Sequence, residues 1–366
     1  MPKRTPEPVG EPEPRLEPPR PFVGHERIVE YFRRIGPGGL AQTYLFHGPR
    51  GVGKTTLART IALTLHCEHP TSFPLGYCGA CGPCRRGMAA SSGDTIFVDD
   101  EFVRAADELA GKVERKSDTI GIETSRLIVR RMQYRSYEGS RLVCIIPEFH
   151  NVPFGRDEVY NALLKELEEP DPGKLFLITA EQLERILPTV RSRSVLVRFD
   201  PLGEAEIERA LVRQYGEDPA RAASLARRAQ GSLGDALALR DEDTSELRDA
   251  SRRWVLACLT EPDTFPPMPL LQAGDARAAL DTVLRHARLA VRDVLAFALN
   301  GEAGVLDAGS MPQYKKALAA LGSNAAAAAV RALMCFDEAV HIAATNVPPS
   351  TTLGWLQIQL RSLAGP

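Results

Sequence analysis

The sequence has no excess of either charge. Its 45 Lys and Arg face 47 Asp and Glu, for a formal net charge of −2 over 366 residues. Composition therefore carries no global argument for nucleic-acid binding, and any such contact has to come from a local basic patch. No uninterrupted apolar run is expected to span a bilayer, and no charged-then-apolar leader is expected at the start, so a cytoplasmic protein is expected. The cysteine count is odd, at seven, and four of them crowd into Cys67, Cys78, Cys81 and Cys84. In a reducing compartment that crowding points to metal rather than to disulfides. No internal repeat is present.

What is there suffices for two or three domains, since 44% of the residues are apolar. Residues 1–20 are Pro, Glu and Arg with almost nothing to bury, and read as a disordered tail. Apolar runs of strand length lie at Thr43–His47, Thr95–Val98, Leu142–Ile146 and Leu175–Thr179. Helical spacing marks Thr55–Leu65, Ile122–Tyr134 and Tyr160–Leu167, with a polar, charged stretch after Val98. Strands alternating with helices predict an α/β domain over 21–200, a parallel sheet covered on both faces. Beyond Pro201 strand signals vanish. A small helical unit is expected over 201–243, a linker within Asp241–Arg248, and an all-α domain over 250–366 with a loop near Gly301–Gln313.

The strongest motif is Gly48-Pro49-Arg50-Gly51-Val52-Gly53-Lys54-Thr55, followed by Thr56. It fits the P-loop at every fixed position, between an expected strand and an expected helix. Glycines let the backbone wrap a polyphosphate with its N–H groups turned inward, and the helix N-terminus adds attraction for anions. Lys54 can reach the outer phosphates, and the Thr55 hydroxyl can ligate Mg²⁺. ATP or ADP with Mg²⁺ is the expected ligand.

Hydrolysis asks for more. A P-loop ATPase ends a later strand in an Asp that organises the metal and a Glu that polarises water. Here Leu142–Ile146 runs into Pro147-Glu148. Proline has no side-chain oxygen, so the magnesium site is damaged. Glu148 suits either the water-activating position or a solvated one.

Cys67-x₁₀-Cys78-x₂-Cys81-x₂-Cys84 offers four thiolates, with Gly79, Gly82 and Pro83 bending the chain between them. That is a closed, structural zinc pattern, with His66 and His69 as weaker competing ligands. Cys144, Cys258 and Cys335 stand in apolar surroundings and read as core. Arg191 and Arg193 lie just past the last expected strand, where arginines are solvated or serve a neighbouring phosphate site. Arg126, Arg130, Arg131 and Arg135 put several guanidinium groups near one helix face, suited to a phosphate backbone or to solvent.

Together these segments resemble the bacterial DNA polymerase III clamp-loader subunits, the gamma/tau and delta-prime group of AAA+ proteins. The matching pieces stand in family order: Val23-Gly24-His25-Glu26, the P-loop, the four-cysteine insert, Tyr137-Glu138-Gly139, then Asn161 through Pro170. Leu187 through Arg193, Gly231-Ser232-Leu233 and Asn346-Val347 with Leu353 follow. The resemblance implies a nucleotide-binding domain, a helical lid and a helical collar through which five subunits assemble. Such rings place a sliding clamp on primed DNA. It also implies that Arg193 acts in trans on a neighbour's γ-phosphate and that Thr179 senses γ-phosphate. Motor subunits keep an Asp where Pro147 stands and an arginine where Gly234 stands. Losing both while keeping Arg193 resembles delta-prime, with a gamma/tau-like motor, or an AAA+ protein outside replication, as the alternative.

Overall fold

The computed structural model describes residues 21–89, 92–111, 120–136, 141–149, 157–168, 171–241, 245–261, 264–269, 276–343 and 347–363. The expected tail, Tyr137–Gly139, Glu169, Pro170 and Asn346 lie outside the described residues. Backbone contacts divide the chain between Leu202 and Gly203 into two compact units.

The first unit is built on five parallel strands: β1 (Thr43–His47), β2 (Thr95–Phe97), β3 (Leu142–Ile146), β4 (Lys174–Ala180) and β5 (Val195–Arg198). Their order in the sheet is β2-β3-β4-β1-β5. β3 is buried at every position, as a central strand covered on both faces requires. Its side chains alternate between two cores. Val143 and Ile145 pack with Phe32 of α1 (Glu26–Ile35) and with Leu57 and Ile61 of α2 (Lys54–His66). Leu142, Cys144 and Ile146 join the opposite layer, with Ile128 of α5 (Ile122–Met132) and Leu163 of α6 (Asp157–Glu168).

Two expectations need correction here. Val195–Arg198 is a fifth strand, so Leu175–Thr179 does not mark the last one. It escaped notice because it is a short edge strand with Leu196 left 46% exposed, which blurs the apolar signal. The polar stretch after Val98 contains helix α4 (Asp100–Leu109). The Asp99 carboxylate caps it by accepting from the Phe102 N–H at 2.9 Å, while Val103 and Ala106 face inward. Two buried residues in ten are too few to show as a periodic pattern. A further short helix, α3 (Gly82–Met88), closes the cysteine insert, and α7 (Pro188–Ser192) precedes β5.

Among the described residues the second unit is all helical. α8 (Glu204–Tyr215) stops at Gly216, whose φ of 67° suits a residue without Cβ. α9 (Pro219–Arg228) is capped by Asp218, whose Oδ2 accepts from Ala220 and Arg221 N–H. α10 (Leu233–Asp241) follows. The expected linker is displaced, because α11 (Ser245–Thr260) already begins at Ser245, ahead of the expected domain start at 250. α11 packs with α12 (Ala276–Asn300), α13 (Met311–Leu321), α14 (Ala325–Ala343) and α15 (Pro349–Leu363) around Trp254, Val291, Tyr314, Phe336 and Leu356.

By length and composition alone, Met311–Ala343 is long and apolar enough to cross a membrane, at a hydropathy of 1.4, unlike the expectation from the sequence. Within it the chain turns at Gly322–Asn324, and Ala329, Ala332, Phe336 and Ala339 fill the helical core. Packing accounts for only part of its apolar character, since 22% of the apolar window is buried and Val330, Met334 and Val340 are exposed.

The loop between α12 and α13 hangs on one carboxylate. Asp293, only 2% exposed, accepts from the N–H groups of Leu306 (3.1 Å) and Asp307 (3.0 Å) and from Arg292 Nη1 (2.8 Å). Asp293→Ala leaves the Leu306 and Asp307 N–H groups unpaired, while Arg292 Nη1 keeps the Gly304 carbonyl at 2.8 Å, and is expected to cost about 3 kcal/mol. Urea denaturation of the variant against the parent checks this; a change below about 1 kcal/mol contradicts it.

Candidate nucleotide and metal sites

The C-terminal ends of β1, β3 and β4 bring three of the expected site segments to one edge of the sheet. From β1 the chain enters the P-loop, where Gly48, Gly51 and Gly53 have φ of 138°, 70° and 107°. A Cβ on Gly48 would meet the Phe199 carbonyl oxygen at 2.1 Å, so only glycine fits that turn. Pro49 and Arg50 form the exposed crest, and Val52 is buried beneath it. Lys54 opens α2 and is 6% exposed, with Thr55 and Thr56 beside it half-buried. Its ammonium donates to the carbonyls of Gly48 (2.8 Å) and Pro49 (2.5 Å), which holds it inside the loop. Burial lowers the Lys54 pKa, opposed by the charges of Glu181 and Glu148.

Glu148 and Thr179 meet at this edge. The Glu148 N–H donates to Thr179 Oγ1 at 3.0 Å, and Thr179 is fully buried on β4, paired in register with Phe46 of β1. Glu148 has φ of 47°, a left-handed conformation that is costly for a residue with a Cβ. The expected sensing position and the expected water-activating position are thus neighbours. Pro147 brings no oxygen to the cluster.

Two residues that sequence reasoning left without a role brace the loop. The His25 ring nitrogen Nε2 lies 2.9 Å from the Val52 carbonyl, and the ring packs edge-on to Phe199 at 4.8 Å. Only the segment Val23–Glu26 signalled this position, and nothing in it indicates a contact with Val52.

The four cysteines of the insert converge, their sulfurs all within 4.8 Å of one another. A tetrahedral ion with Zn–S bonds of ~2.3 Å puts sulfurs ~3.8 Å apart, so this set fits zinc with small adjustments. The Cys78 N–H points at Cys67 Sγ (3.2 Å) and the Cys81 N–H at Cys78 Sγ (3.4 Å), which favours thiolates. The Ala80 and Cys81 N–H groups hold the Cys78 thiol down to about 6, while burial pushes Cys84 up. A bound cation would reverse that second cost. His66 does not compete as a ligand, because its two nitrogens are engaged by the Arg141 carbonyl (2.8 Å) and the Thr95 hydroxyl (3.1 Å).

Arg193 sits just past α7, 35% exposed at its side chain, and pairs with Glu168 Oε1 at 2.7 Å. Its Nη1 also donates to the Thr189 carbonyl at 3.0 Å. On α5, Arg126, Arg130 and Arg131 are exposed, and Arg126 is paired with Glu123 at 3.3 Å. Gly234 is exposed in the first turn of α10 and offers no side chain. The next residue, Asp235, pairs with Arg285 at 3.7 Å.

Residues 24–203 match the family described as DNA polymerase III, delta subunit. The match spans just under half of the chain, and over those residues the chain is similar to clamp-loader subunits of DNA polymerase III. The chain is 30% identical over 226 residues to the DNA polymerase III subunit tau of Escherichia coli, which covers 60% of this chain and 32% of that protein. It is 32% identical over 191 residues to the DNA polymerase III subunit delta' of Pseudomonas aeruginosa, covering 50% and 52%. The chain thus spans about a third to a half of these family members. A gamma subunit-related protein from Thermotoga maritima aligns over 92% of this chain and 99% of its own, at 14% identity and a TM-score of 0.36.

Proposed function

We propose that the chain is a delta-prime-like subunit of a DNA polymerase III clamp loader. In this reading it binds nucleotide in its own P-loop with little or no turnover and completes a neighbour's ATP site. Residues 201–243 act as the lid and 250–366 as the collar of a hetero-pentameric ring, which places a sliding clamp on primed DNA in the cytoplasm. Arg193 is the group that enters the neighbour's site. Zinc on Cys67, Cys78, Cys81 and Cys84 holds the insert, and ATP or ADP occupies Gly48–Thr56 with a weakened magnesium site.

The observation that carries the reading is the contrast between the groups that are kept and the groups that are lost. The phosphate cradle, Lys54 and the Thr179–Glu148 contact are intact, while the metal-organising position is Pro147 and the lid position is Gly234. Binding needs the first set and hydrolysis needs both. A gamma/tau-like motor is the second reading, favoured by the undamaged P-loop. Phosphate release by the isolated chain, before and after Lys54→Ala, separates the two.

For Arg193 the expected outcome is specific. In a reconstituted ring, Arg193→Ala should lower turnover at the site it completes by about 10³-fold or more. The nucleotide affinity of this chain should stay unchanged. Equal turnover in parent and variant rings would remove the trans role.

A further inference from the structure

The block Asn161–Pro170 is among the most specific sequence features, yet the proposed chemistry gives it no task. Glu168 closes helix α6 and α7 leads into Arg193, and the two helices touch within one apolar core to which α6 gives Leu163 and Leu167 and α7 gives Val190. That packing fixes the backbone under both side chains. Between them lies the 2.7 Å contact of Arg193 Nη2 with Glu168 Oε1, while Nη1 is turned to the Thr189 carbonyl. Two edges of the guanidinium are therefore held, and the side chain stays 35% exposed.

Helix stability does not explain the carboxylate. The C-terminal end of a helix carries partial negative charge, so an acid in the last turn of α6 is unfavourable there. An arginine left unpaired at a surface would sample many rotamers, and each catalytic encounter would have to select one.

Resting on the reading of Arg193 as a trans-acting group, we infer that Glu168 is its positioning residue. It presents the guanidinium at the subunit edge in a restricted set of orientations, so that a neighbour's polyphosphate meets an arginine already ordered. Glu168 touches no reacting atom; it acts through Arg193.

The test uses rings reconstituted with the other loader subunits, in which the neighbour served by Arg193 alone keeps its P-loop lysine. Glu168→Ala is expected to lower kcat at that site about two- to fivefold, the scale of an exposed ion pair, with KM for ATP unchanged. Glu168→Gln keeps an oxygen that accepts from Nη2 and should recover most of the loss. In an Arg193→Ala background, Glu168→Ala should add nothing. That double-variant result separates positioning from a general loss of folding, which would lower activity in both backgrounds. If Arg193→Ala lowers turnover but Glu168→Ala leaves kcat unchanged or raises it, the positioning role is overturned and the trans arginine stands. If Arg193→Ala itself has no effect, the underlying reading fails, and this inference with it.

Discussion

Lys54→Ala lowers the nucleotide affinity of the isolated chain by about 10- to 100-fold, the loss expected from one or two charge-assisted hydrogen bonds. The ammonium is the one cation buried within the loop, held 2.8 Å and 2.5 Å from the Gly48 and Pro49 carbonyls, where bound phosphates would draw it outward. Phosphate release by the isolated chain should be at background both before and after the change. Isothermal titration with ADP and with ATP measures the affinity. Equal affinity in parent and variant would show that nucleotide does not use this cradle.

The second large effect concerns the insert. Purified chain should carry about one zinc, and Cys84→Ser should abolish stoichiometric binding, since a closed four-thiolate site has no spare ligand. If metal is normally present at a thousand times its dissociation constant, its removal withdraws about 4 kcal/mol of stability. At 2–4 °C per kcal/mol, that is a fall in Tm of about 8–16 °C for a domain of this size. The damage should reach past the insert. A Cβ on Gly87 of α3 would meet Leu63 of α2 at 2.7 Å, so α3 lies directly on the helix that begins at the P-loop lysine. Metal analysis with a thermal melt in the presence and absence of a chelator measures both. An unchanged melt would mean that the thiols hold nothing.

The parts legible in the sequence were those written in contiguous residues. Gly48–Thr55 and the four cysteines depend on local spacing, which survives without any knowledge of the fold. The apolar runs of β1, β3 and β4 were legible because buried parallel strands need them. What escaped depended on contacts between distant residues or on weak amphipathic signals. Val195–Arg198 is only half-covered at the sheet edge, and Asp100–Leu109 buries two side chains. Glu168 and Arg193 are separated along the chain, and nothing in either motif announces that α6 and α7 bring them to 2.7 Å. His25 was visible only as part of the segment Val23–Glu26, and its contact with Val52 is a product of tertiary folding.

In the proposed reading, Glu148 is the point at which binding and hydrolysis part. It stands beside Thr179 in a left-handed conformation, and the residue before it is a proline, which has no oxygen to seat magnesium. The most direct measurement is a single-turnover experiment on the isolated chain, with labelled ATP mixed with excess protein, with and without primed DNA. The label should remain ATP, bound to protein, over many minutes under both conditions. Prompt conversion to ADP, accelerated by DNA, would contradict the separation of the two functions.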